Sequence, residues 1–258
     1  MAPKPSTSHS RSRLDQALVE RGLCDSREKA KRAVMAGLVR VNGNAACKPS
    51  DSVTPADQVS LEAGEKFVSR GGLKLEHALD TFGLNVDKLS AIDLGASTGG
   101  FTDCLLQRGA ARVYAVDVGH GQLAWKLRKD PRVIVMEKVN ARTLSPAAFP
   151  APFGLVEIVV IDCSFISLRK ILPAGIALLK PSGKIVALIK PQFEAGKAEA
   201  DKGAGVIRDP EIHERILNEL RQFVASSLPN VHWVATTPSP VLGPAGNREF
   251  LVLLEKIG

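Results

Sequence analysis

Residues 91–102, Ala-Ile-Asp-Leu-Gly-Ala-Ser-Thr-Gly-Gly-Phe-Thr, constrain this chain more than any other stretch. An apolar run ends near Asp93, a turn of small residues comes next, and a helix-like segment opens at Phe101. Such a strand–loop–helix unit lets bare backbone approach a ligand beyond the end of a parallel strand. Gly95 and Gly100 take the places of the first and third glycines of a dinucleotide-binding turn, and Ser97 stands where the second would be. That second glycine admits a pyrophosphate against the backbone, so a side chain there disfavours a dinucleotide and leaves room for a phosphate-free nucleoside. By itself the loop is ordinary turn chemistry. The order of strands, helices and polar residues in the rest of the chain gives it weight.

Downstream, strand and helix patterns alternate. Strands are expected at 89–94, 112–116, 133–136, 157–161, 184–189, 231–236 and 249–254. Helices are expected at 101–108, 168–179 and 210–226, and before the glycine loop, where Leu75, Ala78, Leu79 and Phe82 repeat at helical spacing. This alternation implies an α/β architecture, a doubly wound and mainly parallel sheet covered on both faces. Ligands bind beyond the carboxyl ends of such strands. Gly95, Asp117, Asn140, Asp162 and Lys190 all fall there. Asp117 follows Gly95 by 22 positions, and an acid about 20 residues on commonly holds a ribose diol.

The N-terminal part is different in character. Residues 11–48 hold nine basic residues against four acidic ones, most of the net charge of +7. Leu14, Ala17 and Leu18 mark a short amphipathic helix. A second helix is expected from Asp25-Ser26, with Glu28 completing a capping box to Asp25. Its apolar positions Ala30 and Val34 leave Arg27 and Lys31 on another face. A strand at 38–41 runs into the hairpin signal Asn42-Gly43, and 53–61 offers more strand material. A small α+β domain at 11–63 therefore precedes a linker at 64–69 and a large domain at 70–258. Residues 1–10 read as a flexible basic arm, without the apolar core of a secretory signal. Phe67 and Val68 are expected to dock on one of the two domains. The basic balance points to a polyanionic partner, most simply nucleic acid. Four scattered cysteines without metal-ligand spacing read as reduced thiols of a cytoplasmic protein, and no metal site is expected. No apolar run reaches the roughly 20 residues that span a bilayer, so no membrane partner is expected.

Several resemblances rest on quoted residues. Arg13-Leu14-Asp15, Gly22-Leu23, Ser26-Arg27, Val41-Asn42-Gly43 and Lys48-Pro49-Ser50 follow the RNA-binding module of small-subunit ribosomal protein four. By that resemblance Arg13, Arg27, Lys31 and Arg32 would bind RNA. The glycine loop resembles the S-adenosylmethionine loop of class I methyltransferases, which implies Asp93, Gly95, Ser97, Gly99, Asp117 and Asn140 as cofactor-binding positions. Lys74, Asp162, Lys190 and Glu249 resemble in order and setting the Lys-Asp-Lys-Glu tetrad of FtsJ-type ribose 2′-O-methyltransferases. The match extends to Ile189-Lys190-Pro191-Gln192-Phe193-Glu194 and Gly246-Asn247-Arg248-Glu249-Phe250. With both parts in one chain, the whole resembles the TlyA family of rRNA 2′-O-methyltransferases, also called haemolysins. One departure is Thr98, where the wider FtsJ group often has proline.

The resemblance implies S-adenosylmethionine without a metal, and ribosomal RNA or ribosomal subunits as partners. A ribose hydroxyl is a poor nucleophile, so the enzyme must align it and receive its proton. Lys190 is expected as the base with Lys74 beside it as a neighbouring cation, Lys74 and Glu249 are expected to position the ribose, and Asp162 to orient the ammonium or stabilise the developing sulfonium side. A lysine in the first turn of a helix opposes the helix dipole, so helix stability does not explain Lys74. Each residue taken singly is also readable as a surface ion pair, and Arg27, Lys31 and Arg32 as a solvated helix face. Cys163 lacks the Pro-Cys context of a nucleophilic thiol and reads as packed, and Phe165 reads as core or as a stacking platform. Asp162-x-x-Phe165 lacks the prolines of amino methyltransferases, which leaves base N-methylation a runner-up. A non-catalytic RNA-binding protein would leave the loop and tetrad without a purpose. A membrane-active haemolysin would need a spanning or amphipathic segment that the sequence does not show.

Overall fold

The computed structural model describes residues 11–62, 65–196, 199, 201 and 203–258. The arm expected at 1–10 lies outside them, as do parts of residues 194–209, whose glycines, lysines and acids lead the sequence to be read as a mobile loop beside Lys190, either a substrate lid or a loose connection. Contacts divide the chain into two units, Met1–Lys66 and Phe67–Gly258.

In the first unit, β1 (Ser12–Arg13) leads into α1 (Leu14–Glu20) and α2 (Arg27–Met35). Leu14, Ala17, Leu18, Ala30 and Val34 all face one buried cluster, completed by Val39 and Val53. Ser26, not Asp25, caps α2, its hydroxyl accepting from the Lys29 amide. Asp25 takes the Lys29 ammonium instead, so the capping box expected with Glu28 does not form. Strands β2 (Val39–Val41), β3 (Asn44–Ala45) and β5 (Val59–Leu61) form one antiparallel sheet, and β4 (Ser52–Val53) pairs with β1. Asn42 and Gly43 both have positive φ, 51° and 82°, the geometry a two-residue hairpin with the strand's own twist requires.

The second unit contains α3 (Gly71–Thr81), β6 (Ser90–Leu94), α4 (Gly100–Gln107), β7 (Arg112–Asp117) and α5 (Trp125–Arg128). Then come β8 (Val133–Glu137), β9 (Val156–Ile161), α6 (Leu172–Ala177), β10 (Leu179–Ile189) and α7 (Pro191–Glu194). Helix α8 (Pro210–Ser227) and strands β11 (Val231–Pro238) and β12 (Phe250–Lys256) complete it. The seven strands lie in the order β11-β12-β10-β9-β6-β7-β8. Among these seven strands β12 alone runs opposite to the other six. The strands alternate between two cores. Ile92, Leu94, Val159, Ile161, Ile185 and Ala187 face the side of α6 and α8. Ala91, Ile158, Val160, Val186 and Leu188 face the side of α3 and α4. Burial on both faces is why these strands read as unbroken apolar runs.

Two expectations shift. The single helix expected at 168–179 is a 3₁₀ turn (Leu168–Lys170) followed by α6, with Leu179 already in β10. Within the segment expected as linker, Phe67 belongs to the second unit and is 2% exposed. Its ring lies so close to Gly72 that a Cβ there would sit 2.2 Å away. Truncation of a packed phenylalanine costs about 3–5 kcal/mol. Phe67→Ala is expected to lower the stability of the second unit by that amount, read by urea unfolding through Trp125 and Trp233. A loss below about 1 kcal/mol would show that the ring is not a structural anchor.

Candidate active site

The loop after β6 turns because its backbone is forced to. Gly95 has φ 86°, and a Cβ on it would lie 2.9 Å from the Asp162 carbonyl oxygen at the end of β9. Gly99, before α4, has φ 97°. Between them Ser97 holds φ 48°, a conformation that costs a residue with a side chain about 1–2 kcal/mol. Asp117 offsets that cost. Its Oδ2 accepts the Ser97 amide at 2.8 Å and its Oδ1 the Gly119 amide at 2.6 Å. The acid read as a ribose partner therefore also organises the loop, and a carboxylate's about four acceptor sites leave room for both tasks. The Ser97 hydroxyl donates to Gln122 Oε1, and Asn140 Oδ1 accepts from the Arg142 amide.

Asp93 is fully buried, with Oδ2 accepting from Thr102 Oγ1 at 2.7 Å and Oδ1 without a hydrogen-bond partner. Burial pushes its carboxyl up to about 7 against the Thr102 hydrogen bond, and the charges of Asp162 and Asp117 add to the rise.

The four tetrad positions come together in one cleft of about 680 Å³. Lys74 Nζ lies 2.5 Å from Glu249 Oε2, with side-chain exposures of 8% and 1%. Lys190 Nζ lies 2.6 Å from Asp162 Oδ1 and 2.9 Å from the Ser164 hydroxyl. Each lysine thus has its own carboxylate. Glu249 Oε1 has no partner, and neither does the buried Gln192 Oε1 nearby on the cleft wall. A second cavity of about 410 Å³ shares Gly95, Ser97, Asp162, Ser164 and Phe165 with the first. It continues to Asp117 and Asn140 between the apolar side chains of Val116, Val139, Ile166 and Ile171.

Phe165 is not core. It is 90% exposed, has φ 63°, and its ring lies 5.2 Å from that of Phe193. Strain of this kind in a bulky side chain, about 1–3 kcal/mol, persists where surroundings impose it and gathers at functional sites. Cys163 is inert by contrast. Burial pushes its thiol up to about 12, and Sγ donates to the Leu94 carbonyl. Sequence reasoning missed Ser164 and Thr102, whose residue types carry no signal until the fold sets them against Lys190 and Asp93. Among the described residues no group of three or more His, Cys, Asp or Glu side chains could hold a metal ion.

FtsJ-like methyltransferases match residues 67–256, the whole span that carries this cleft. The chain belongs to the FtsJ-like methyltransferase family. The S4 domain matches residues 12–59 ahead of it. This FtsJ-like chain is 46% identical over 248 residues to the 16S/23S rRNA (cytidine-2′-O)-methyltransferase TlyA of Mycobacterium tuberculosis, covering 95% of this chain and 90% of that one. It is 41% identical to Hemolysin A of Brachyspira hyodysenteriae, covering 93% and 98%. A solved Streptococcus thermophilus structure carried under a hemolysin name superposes with a TM-score of 0.71 at 45% identity, covering 97% and 90%.

The Asp93 carboxyl in this FtsJ-like fold has a measurable signature. Its folded-state value near 7 exceeds the unfolded value of about 3.9. Between those pH values the folded state holds a proton that the unfolded state has released, so this group makes stability fall as pH rises from 4 to 7, with no further loss above. Asp93→Asn removes the effect. Its stability relative to the parent should rise with pH by on the order of 4 kcal/mol across that window. A pH-independent difference in urea midpoints would show that Asp93 titrates normally.

Proposed function

We propose that the protein methylates a ribose 2′-hydroxyl of ribosomal RNA with S-adenosylmethionine, and that Lys74, Asp162, Lys190 and Glu249 carry the reaction. The observation that carries this reading is the cleft in which a buried Lys–Glu pair and a partly buried Lys–Asp pair stand beside the glycine loop. Removing such charges from water costs several kcal/mol per ion and returns little net stability. Chemistry is the better reason for two of them side by side.

The residues present fit the cofactor. The slot between Val116, Val139 and Ile171 suits a flat purine, with Asp117 and Asn140 at its polar end for the ribose. The unpartnered Asp93 Oδ1, together with Gly95, Ser97 and Gly100 on the cleft wall, offers acceptors and bare backbone for the cationic amino-acid end, whereas Gly99 packs against Leu123 and Leu127 and lines neither cavity. When bound, S-adenosylmethionine supplies a methyl already activated on a sulfonium. In this reading Lys190 acts as the free amine, its ammonium proton first given up to solvent, and Nζ then takes the proton of the 2′-hydroxyl, held on line by Asp162 and Ser164. Lys74, fixed by Glu249, holds the ribose, and Phe165 offers an exposed ring on which a nucleobase stacks. An rRNA substrate would place the work in the cytoplasm, on RNA or ribosomal subunits. Among the described residues no helix is long and apolar enough to cross a membrane.

Lys190→Ala is expected to abolish methyl transfer while leaving cofactor and RNA affinity within a few-fold. Arginine should not rescue it, because a guanidinium stays protonated. Single-turnover transfer of labelled methyl, with the modified nucleoside identified, decides the matter. Wild-type chemistry in the arginine variant would make Lys190 a positioning cation. A labelled base in place of a labelled ribose would overturn the reaction itself.

RNA binding by the S4 unit would fall to fewer residues than the resemblance implied. Arg13 and Arg27 both reach the fully buried Asp15, at 3.1 Å each. That carboxylate is held below its usual range, first by the Arg13 hydrogen bond and against its burial. Lys31 and Arg32 stand exposed on α2. Replacing both with alanine should weaken RNA binding and reduce the slope of log affinity against log salt by about 2. An unchanged slope would remove them from the RNA surface.

A further inference from the structure

We propose that Glu194 is a positioning residue for the methyl transfer, holding the 162–168 loop against Lys190. The inference rests on the reading of Lys190 as the proton acceptor. Glu194 ends α7, four residues after Lys190, and is 8% exposed. Its Oε2 accepts the Ser167 hydroxyl at 2.6 Å and its Oε1 accepts the Leu168 amide at 2.7 Å. Ser167 and Leu168 close the loop that carries Asp162, Ser164 and Phe165. At the other end that loop is fixed by the Asp162 amide, which donates to the Leu94 carbonyl in the neighbouring strand. One segment, 190–194, therefore grips the loop twice: Lys190 holds Asp162 and Ser164, and Glu194 holds its far end.

Local structure does not require this carboxylate. Ser167 already caps the 3₁₀ turn, its hydroxyl accepting from the Arg169 amide at 3.2 Å. Nor does Glu194 form an ion pair among the described residues. Burial raises its pKa, and the two hydrogen bonds and the charge of Arg169 counter only part of that rise. A buried, unpaired acid is a poor stabiliser. What it secures is distance. With the far end of the loop released, Ser164 and Asp162 can swing from Lys190, and Phe165 has nothing to hold its left-handed backbone.

Displacement of about 1 Å at reacting groups costs on the order of 10²-fold in rate. Glu194→Ala should accordingly lower the single-turnover rate at saturating RNA and cofactor by about 10²-fold. The RNA concentration at half-saturation and the cofactor dissociation constant should stay within about twofold, because no ligand atom is lost. Glu194→Gln keeps the length and one acceptor and should recover most of the rate. Glu194→Asp, one carbon shorter, should not. If the alanine variant fails to fold, the glutamine and aspartate pair carries the test, since a merely structural role predicts full rate in whatever fraction is folded. Wild-type single-turnover rates in all folded variants, or a defect confined to RNA or cofactor affinity, would overturn the inference. Failure of the underlying reading looks different: the unmodified protein would then transfer no methyl to ribose.

Discussion

The Lys74–Glu249 pair joins the first helix of the FtsJ-like unit to the start of its last strand, across 175 residues of sequence. A salt bridge this deeply buried is costly to break, because the partner left behind is an uncompensated charge. It therefore ties α3 and β12 to one geometry, and both flank the cleft. Glu249 needs the antiparallel β12 inserted between β10 and β11 to arrive there. Gly243 must also lack a side chain, since a Cβ on it would fall 2.5 Å from Glu249 Oε1. Sheet order, loop composition and the ion pair are parts of one constraint.

The second ion pair obeys a different logic. Asp162 and Lys190 end adjacent parallel strands, β9 and β10, so strand register alone brings them within reach. Ser164 and Glu194 then refine a contact that the sheet already provides. One lysine is held by long-range topology and the other by neighbouring strands. The two lysines are each balanced by a carboxylate of their own, yet Asp93 lines the same cleft as a buried acid whose Oδ1 has no partner. A cationic ligand at the glycine loop would offset the cost of ionising that acid, and such an uneven balance of charge is what a binding site is expected to show.

The strand positions and their ligand-facing ends were legible because burial on both faces writes parallel strands as unbroken apolar runs. Gly95, Asp117, Asn140, Asp162 and Lys190 could be placed by that rule with no knowledge of packing. Partnerships were not legible. No spacing in the chain announces that Lys74 meets Glu249, or that Ser164 rather than Lys74 touches Lys190. The break in the helix expected at 168–179 was hidden for a similar reason. Its apolar pattern continues through the 3₁₀ turn, so periodicity alone runs the two pieces together. Phe165 shows the limit most clearly. An aromatic after a strand is core by default, and only a backbone held at positive φ turns it outward.

Charge in the S4 unit carries the same lesson to binding. Counting residues gives a strongly basic module, but a guanidinium committed to a buried carboxylate has less to offer a phosphate. Asp15 commits two, Arg13 and Arg27, and backbone carbonyls of Thr54 and Asp57 take Arg21. These arginines fasten α1, α2 and the strands to one another, which a domain with a core of seven buried apolar residues needs. Arg13 and Arg27 keep about half of their side-chain surface exposed, so they can still shape the potential an RNA meets, though from fixed positions. Lys31 and Arg32, exposed on α2, are the two on which the proposed phosphate contact rests. In that proposal a cation already held by a buried carboxylate gives up fewer counterions to a phosphate than an unpaired one, and salt competes chiefly with the second kind.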